Sequence, residues 1–215
     1  ILINGNLSGD DLGAALAHEL FHAFQHAWDA NEDEWWSEAT AVWSEDFIDA
    51  GWDTEHEYIE DAFSESDNSL ISLDDDREDH SYGIYIFPYY LTKVRHPGND
   101  LLIGQIWSSC ESQAALDAVE SNMDANFKDV LKEFALLNYE ESLLPECSGS
   151  FQSYPEPLLV YPEHEARQVT VDKSKPVIMN IPSLGAGYLE LENKVPKDTM
   201  PHVLIDLRDI LKNSD

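Results

Sequence analysis

The chain has 215 residues, 43% of them hydrophobic and 11% aromatic, which is enough for one sizeable core and too apolar for a disordered polypeptide. Acids outnumber bases 43 to 12, a formal charge of −31, and a surface of that sign repels nucleic acids and anionic membranes. No apolar run approaches the ~20 residues of a membrane span, so neither nucleic-acid binding nor membrane insertion is expected.

The acidity is concentrated early: residues 1 to 80 hold 23 acids and a single base, Arg77. It reads as a solvated acidic shell of the kind suited to saline surroundings, with calcium binding as the alternative. The chain opens on Ile1 and carries no signal-peptide pattern, which reads as a mature form or an excised piece of a longer protein. Cys110 and Cys147 are the only cysteines, and their spacing does not suggest a metal site. In an exported protein they can pair, a cross-link worth ~3–4 kcal/mol, or remain as two buried thiols.

In chain order, the first expected helix covers 8–28, with Ser8 and Asp11 forming a capping box and Leu12, Leu16, Leu20 and Phe24 recurring at helical spacing. A second covers 33–50 and stops at Gly51, and a short third covers 54–63. An acidic loop follows, then the aromatic run YGIYIFPYYLTKVRHPG, in which Pro88 predicts a kink or break. Further helices are expected at 99–109, 112–121 and 126–143. After that the texture changes: seven of the ten prolines fall between 155 and 201, and RQVTV, PVIMNI, GYLELE and HVLIDL alternate as strands do. The expected organisation is therefore a mainly helical domain, 1–148, followed by a partial all-β, sandwich-like module, 149–215.

The first helix contains HELFHAFQH, residues 18–26. Residues four apart on a helix lie about 6 Å apart along its axis, so the imidazoles of His18 and His22 can reach one ion while Glu19 stands beside it as a general base. His26 is about 12 Å along the axis from His18, too far to complete that set. The third ligand is expected from WWSEATAVWSED, where Trp35, Ala39, Val42, Trp43 and Phe47 outline an apolar face with Glu38 at its edge. Small neighbours, Ala39 and Ala41, allow close approach to the first helix. Glu45, two turns further on, is expected to stand behind the ligands or to bind calcium.

The pairing of HELFH with WWSEATAVWSEDF, over about residues 12–145, resembles the gluzincin zinc metallopeptidases, and is most similar to secreted bacterial and archaeal members. The resemblance implies a zincin-like helical catalytic half, zinc on His18, His22 and Glu38, and Glu19 as the base that hydrolyses peptide bonds of a protein or peptide substrate. It also implies a secreted or cell-surface protein. Gluzincins commonly carry an acid four residues after the ligand glutamate; here that residue is Val42, so the orienting role is expected of Asp46 or Asp29. Their N-terminal β subdomain has no counterpart in ILINGNL. Charge on the attacked carbonyl oxygen calls for a donor, for which Tyr82 is the first candidate and Tyr85 and His80 follow. The loop acids Asp74, Asp75, Asp76, Glu78 and Asp79 are candidate calcium ligands or a solvated run. The alternative reading is a catalytically incomplete binding or adhesion module on the same scaffold; a zinc hydrolase with a non-peptide substrate would use the same ligands.

Overall fold

The computed structural model describes residues 3–64, 68–71, 78–143, 154–155, 167–170, 186 and 189–192. Eight α-helices account for most of it: α1 Asp10–Trp28, α2 Glu34–Ile48, α3 Ile59–Ser64, α4 Glu78–Gly83, α5 Ile86–Tyr89, α6 Leu102–Cys110, α7 Ala115–Ser121 and α8 Phe127–Leu143. A 3-10 turn, Thr54–Tyr58, precedes α3, and a π-helical turn, Tyr90–Arg95, follows α5. Among the described residues no helix is long and apolar enough to cross a membrane.

The core is built around α2, which is buried on nearly all sides. Trp35, Trp36, Ala39, Ala41 and Val42 are at most 1% exposed, and Trp43 is buried with them. Trp36 stacks on Trp107 of α6, and the Trp107 indole N–H donates to Thr40 Oγ1 at 3.0 Å. Trp43 donates to Thr92 Oγ1 at 3.1 Å, which ties α2 to the π-helical turn. Phe87 meets Phe127 and Phe134 edge-on and so joins α5 to α8. Arg95, held by Asp124 and Glu133, closes the same side.

Pro88 acts as expected. It has no N–H for the Ile84 carbonyl, which instead accepts from Phe87 N at 2.8 Å, a tighter turn that separates α4 from α5. The helix start differs from expectation: Gly9, at φ 61°, caps α1 without a side-chain hydrogen bond, so Ser8 and Asp11 form no capping box. Asp10 and Asp11 still place charge in the first turn, where the helix dipole favours it. The buried face of α1 also differs. Leu16, Leu20 and Phe24 are 48%, 52% and 53% exposed, while Ala14, His18 and Gln25 are buried.

The expected all-β, sandwich-like module is not what the described residues form; they are mostly helical. The described strands, β1 Arg167–Thr170 and β2 Leu189–Glu192, make a single parallel pair, with Arg167 opposite Leu189 and Thr170 opposite Glu192. A sandwich packs two antiparallel sheets face to face, and apolar–polar alternation over four residues needs no second sheet. PVIMNI, HVLIDL and the boundary at 148/149 lie outside the described residues. Tyr154, beyond that boundary, is buried against Tyr89 and donates to Asn138 Oδ1 at 2.6 Å. Cys110 is a buried free thiol, pushed up from its ordinary value by burial and by the charge of Glu32; Cys147 lies outside the described residues.

Gly83 ends α4 against the 3-10 turn. A Cβ there would meet the Tyr58 carbonyl oxygen at 2.6 Å and the Ala62 amide nitrogen at 3.1 Å, both backbone atoms that cannot swing aside. Gly83→Ala is expected to destabilise the fold by about 1–3 kcal/mol, seen as a lower urea midpoint with unchanged slope. An unchanged midpoint would mean that α4 is not held this closely.

Candidate metal centre

Helices α1 and α2 form an antiparallel hairpin through residues 29–33, which sets His22 opposite Glu38, Gln25 opposite Ser37 and His18 opposite Glu45. Fully buried Ala39 and Ala41 keep the facing helix surface low. On this seam His18 Nε2 lies 3.2 Å and His22 Nε2 3.5 Å from the same atom, Glu38 Oε2. The ligand-type atoms of these three residues all fall within 4.8 Å of one another. His18, His22 and Glu38, expected from the sequence to act together, are thus brought together.

The opposite ring nitrogens decide what those atoms can do. His22 Nδ1 lies 2.7 Å from Gln25 Oε1, an amide oxygen that can only accept, so Nδ1 carries the proton. His18 Nδ1 lies 3.0 Å from the Glu45 carboxylate, which in its ionised form also accepts. Both neutral imidazoles therefore aim the lone pair of Nε2 at a carboxylate oxygen. Three acceptors facing one another repel unless a proton or a cation lies between them. Glu38 Oε2 is buried and accepts no well-formed hydrogen bond from a described residue, so a proton or a cation there would satisfy it. Two imidazoles and one carboxylate are the donor set of a catalytic zinc site.

Without a metal, protons take that place. Burial opposes charge on His18, but the adjacent carboxylates of Glu38, at 3.2 Å, and Glu45, at 3.0 Å, override it and raise the pKa from 6.5 to about 9. His22 is raised as well, against burial, chiefly by Glu38 and then by Gln25. Burial alone would raise Glu38; the two histidines instead lower it from 4.5 to about 2.

The support behind the three residues comes from Glu45, in one of the two roles expected of it, and not from Asp46 or Asp29. Glu45 orients His18 through Oε1 and accepts from Thr54 Oγ1 at 2.9 Å through Oε2, so it is a brace and not a ligand. Asp46 faces the other way and pairs with Lys93 at 3.1 Å, and Asp29 forms the turn after α1 by accepting from the Asn31 amide. His22 is oriented by Gln25, a residue that the sequence reading passed over. Its amide is almost fully enclosed: Oε1 also accepts from Ser37 Oγ at 3.0 Å, while Nε2 donates to the Ser37 carbonyl at 2.8 Å and to Thr40 Oγ1 at 2.9 Å.

Glu19 is half-buried beside His18 on α1 and pairs with no described residue. Tyr82 does reach the centre, its ring stacked on His18 with centroids 5.7 Å apart and planes at 14°, and Tyr58 backs it. Tyr85 is sealed in the core at 2% exposure, and His80 is turned to the Ser69 carbonyl at 3.1 Å. His26 is exposed. Asp74, Asp75 and Asp76 lie outside the described residues, and Glu78 and Asp79 begin α4. Comparison of the chain with protein-family models, characterised proteins and solved structures finds no match.

Two outcomes follow from this geometry. The raised His18 contributes stability that is complete below its unfolded value of 6.5 and is lost as pH rises through about 9; the lowered Glu38 contributes stability present above 4.5 and lost as pH falls through about 2. In metal-free protein, the stability gap between wild type and Glu38→Gln is therefore expected to be widest between pH 4.5 and 6.5 and to narrow on both sides, as read from urea unfolding at several pH values. A gap independent of pH would mean that no proton is shared. Separately, Gln25→Leu, similar in volume but without the amide, is expected to weaken divalent-metal affinity by about 10–100-fold in a competitive chelator titration. Unchanged affinity would leave Gln25 as a packing residue only.

Proposed function

We propose that the chain is a zinc-dependent peptidase of the gluzincin type, with zinc held by His18, His22 and Glu38. The observation that carries this reading is the convergence of two Nε2 lone pairs and Glu38 Oε2, with both Nδ1 atoms already engaged by Glu45 and Gln25. A zinc ion in such a set supplies an acidified water and polarises a carbonyl.

The chain's own residues supply the rest. Glu19, next to His18 on the same helix and paired with no described residue, takes the proton from the attacking water and returns it to the departing amine, so that the peptide C–N bond is exchanged for C–O with no net proton change. Tyr82, stacked on the ligand His18, is the candidate donor to the carbonyl oxygen as negative charge develops there. Gln25 and Glu45 keep the two rings turned so that Nε2 faces inward. The acidic surface favours peptides carrying basic residues, and an exported protein suits this role.

The test pairs two variants. Wild type is expected to hold zinc at His18, His22 and Glu38 and to cleave an unfolded protein substrate; Glu38→Ala loses that zinc, and Glu19→Gln keeps it while cleavage falls by roughly 100-fold or more. Zinc uptake indifferent to Glu38→Ala removes the centre itself. Zinc held at the centre by a wild type and a Glu19→Gln variant that perform alike points instead to a non-catalytic binding module.

A further inference from the structure

A second group of side chains with the chemistry of metal ligands lies in the 3-10 turn after α2. Asp53, Glu55 and His56 bring ligand-type atoms within 4.8 Å of one another, and none of the three belongs to the first centre. His56 Nε2 is 3.5 Å from Glu55 Oε1 and 3.9 Å from Asp53 Oδ1. Those separations are too long for hydrogen bonds. They lie near the ~3.4 Å between two atoms that each sit about 2.1 Å from one tetrahedrally coordinated ion.

Glu55 is the second, separate observation. Its side chain is 2% exposed, and its buried Oε2 accepts no hydrogen bond from a described residue. A carboxylate enclosed in this way needs a counter-charge or a full set of donors. The groups around it are of the wrong sign: Asp46, Glu45 and Asp53 all act on it electrostatically. Of these acids, Asp46 is paired with Lys93 at 3.1 Å. Burial pushes the Glu55 carboxyl up to about 7, its own backbone amide pulling the other way and the three acids adding to the rise.

We infer that Asp53, Glu55 and His56 form a second cation site, selective for a divalent first-row transition ion such as zinc or manganese. The imidazole nitrogen decides the class, because calcium and magnesium prefer shells made wholly of oxygen. Asp53 is the described non-glycine residue with positive φ, 54°, a conformation that aspartate tolerates better than most residues and that turns the chain back toward His56. Thr54, between two of the ligands, donates to Glu45 Oε2, and the other oxygen of Glu45 holds His18. An ion in the turn therefore fixes the brace behind the first centre without touching that centre.

The experiment is a zinc count on the full chain, stripped with chelator, reloaded with zinc and passed through a desalting column at high salt to shed ions held only by the acidic surface. Wild type is expected to retain two zinc ions, His56→Ala and Glu55→Gln one each, Glu38→Ala one, and the Glu38→Ala, His56→Ala double variant none. His56 is partly exposed and Glu55→Gln is nearly isosteric, so matched circular dichroism is expected; if either variant unfolds, Asp53→Asn replaces it. One ion in wild type that survives His56→Ala and is lost in Glu38→Ala overturns the inference and leaves the proposed function standing. One ion lost in His56→Ala and kept in Glu38→Ala does the reverse.

Discussion

The buried amide of Gln25 is the interaction on which the arrangement of the centre rests. It is neutral, it donates twice and accepts twice, and all four partners lie on the α1–α2 seam. Each unmade bond in such a place costs about 1–3 kcal/mol, so the hairpin has one register in which the amide is satisfied. That register sets Glu38 against His18 and His22. Through Thr40 the same network continues to the Trp107 indole, so the orientation of His22 is anchored in the aromatic core. Loops do not carry this geometry; two helices and a buried polar string do.

The convergence of His18, His22 and Glu38 was legible because the spacing of the candidate ligands is local. His18 and His22 are four residues apart on one helix, and the turn at 29–33 leaves little choice about where Glu38 can lie. Tyr82 was reachable by the demand for a donor near the centre, and it does stack on His18. Gln25 was not legible, because an amide has no chemical signature in a sequence until its neighbours across the helix pair are known. Val42, where the gluzincin resemblance would place an acid, is wholly buried in the core. The orienting carboxylate comes instead from Glu45, which points along the seam.

Helical periodicity was a good guide to where α1 lies and a poor guide to which way it faces. The recurring Leu16, Leu20 and Phe24 would ordinarily mark the buried stripe, yet α1 packs on α2 through His18, His22 and Gln25. Hydrogen bonds share that interface with an aromatic contact, Phe21 of α1 edge-on to Trp43 of α2 with ring centroids 6.1 Å apart. In the tail, the alternating stretches that were read as a sandwich appear among the described residues as one short parallel pair, because alternation specifies a one-sided strand and not how many strands accompany it.

The π-helical turn at Tyr90–Arg95 has a consequence for how this chain can change length. Its wide bond, from His96 N to the Leu91 carbonyl at 3.0 Å, accommodates one residue more than an α-helical turn. That extra residue helps set the phase at which Thr92 meets Trp43 and Lys93 meets Asp46. Deleting a single residue there would restore ordinary helical hydrogen bonding locally and leave the downstream phase nearly unchanged, because the wide turn spends one residue more on the same full rotation, so Arg95 could still face Asp124 and Glu133. Insertions and deletions are usually absorbed by loops; here a helix can absorb one, and a homologous chain one residue shorter in this segment could close the wide turn and keep the packing of α8.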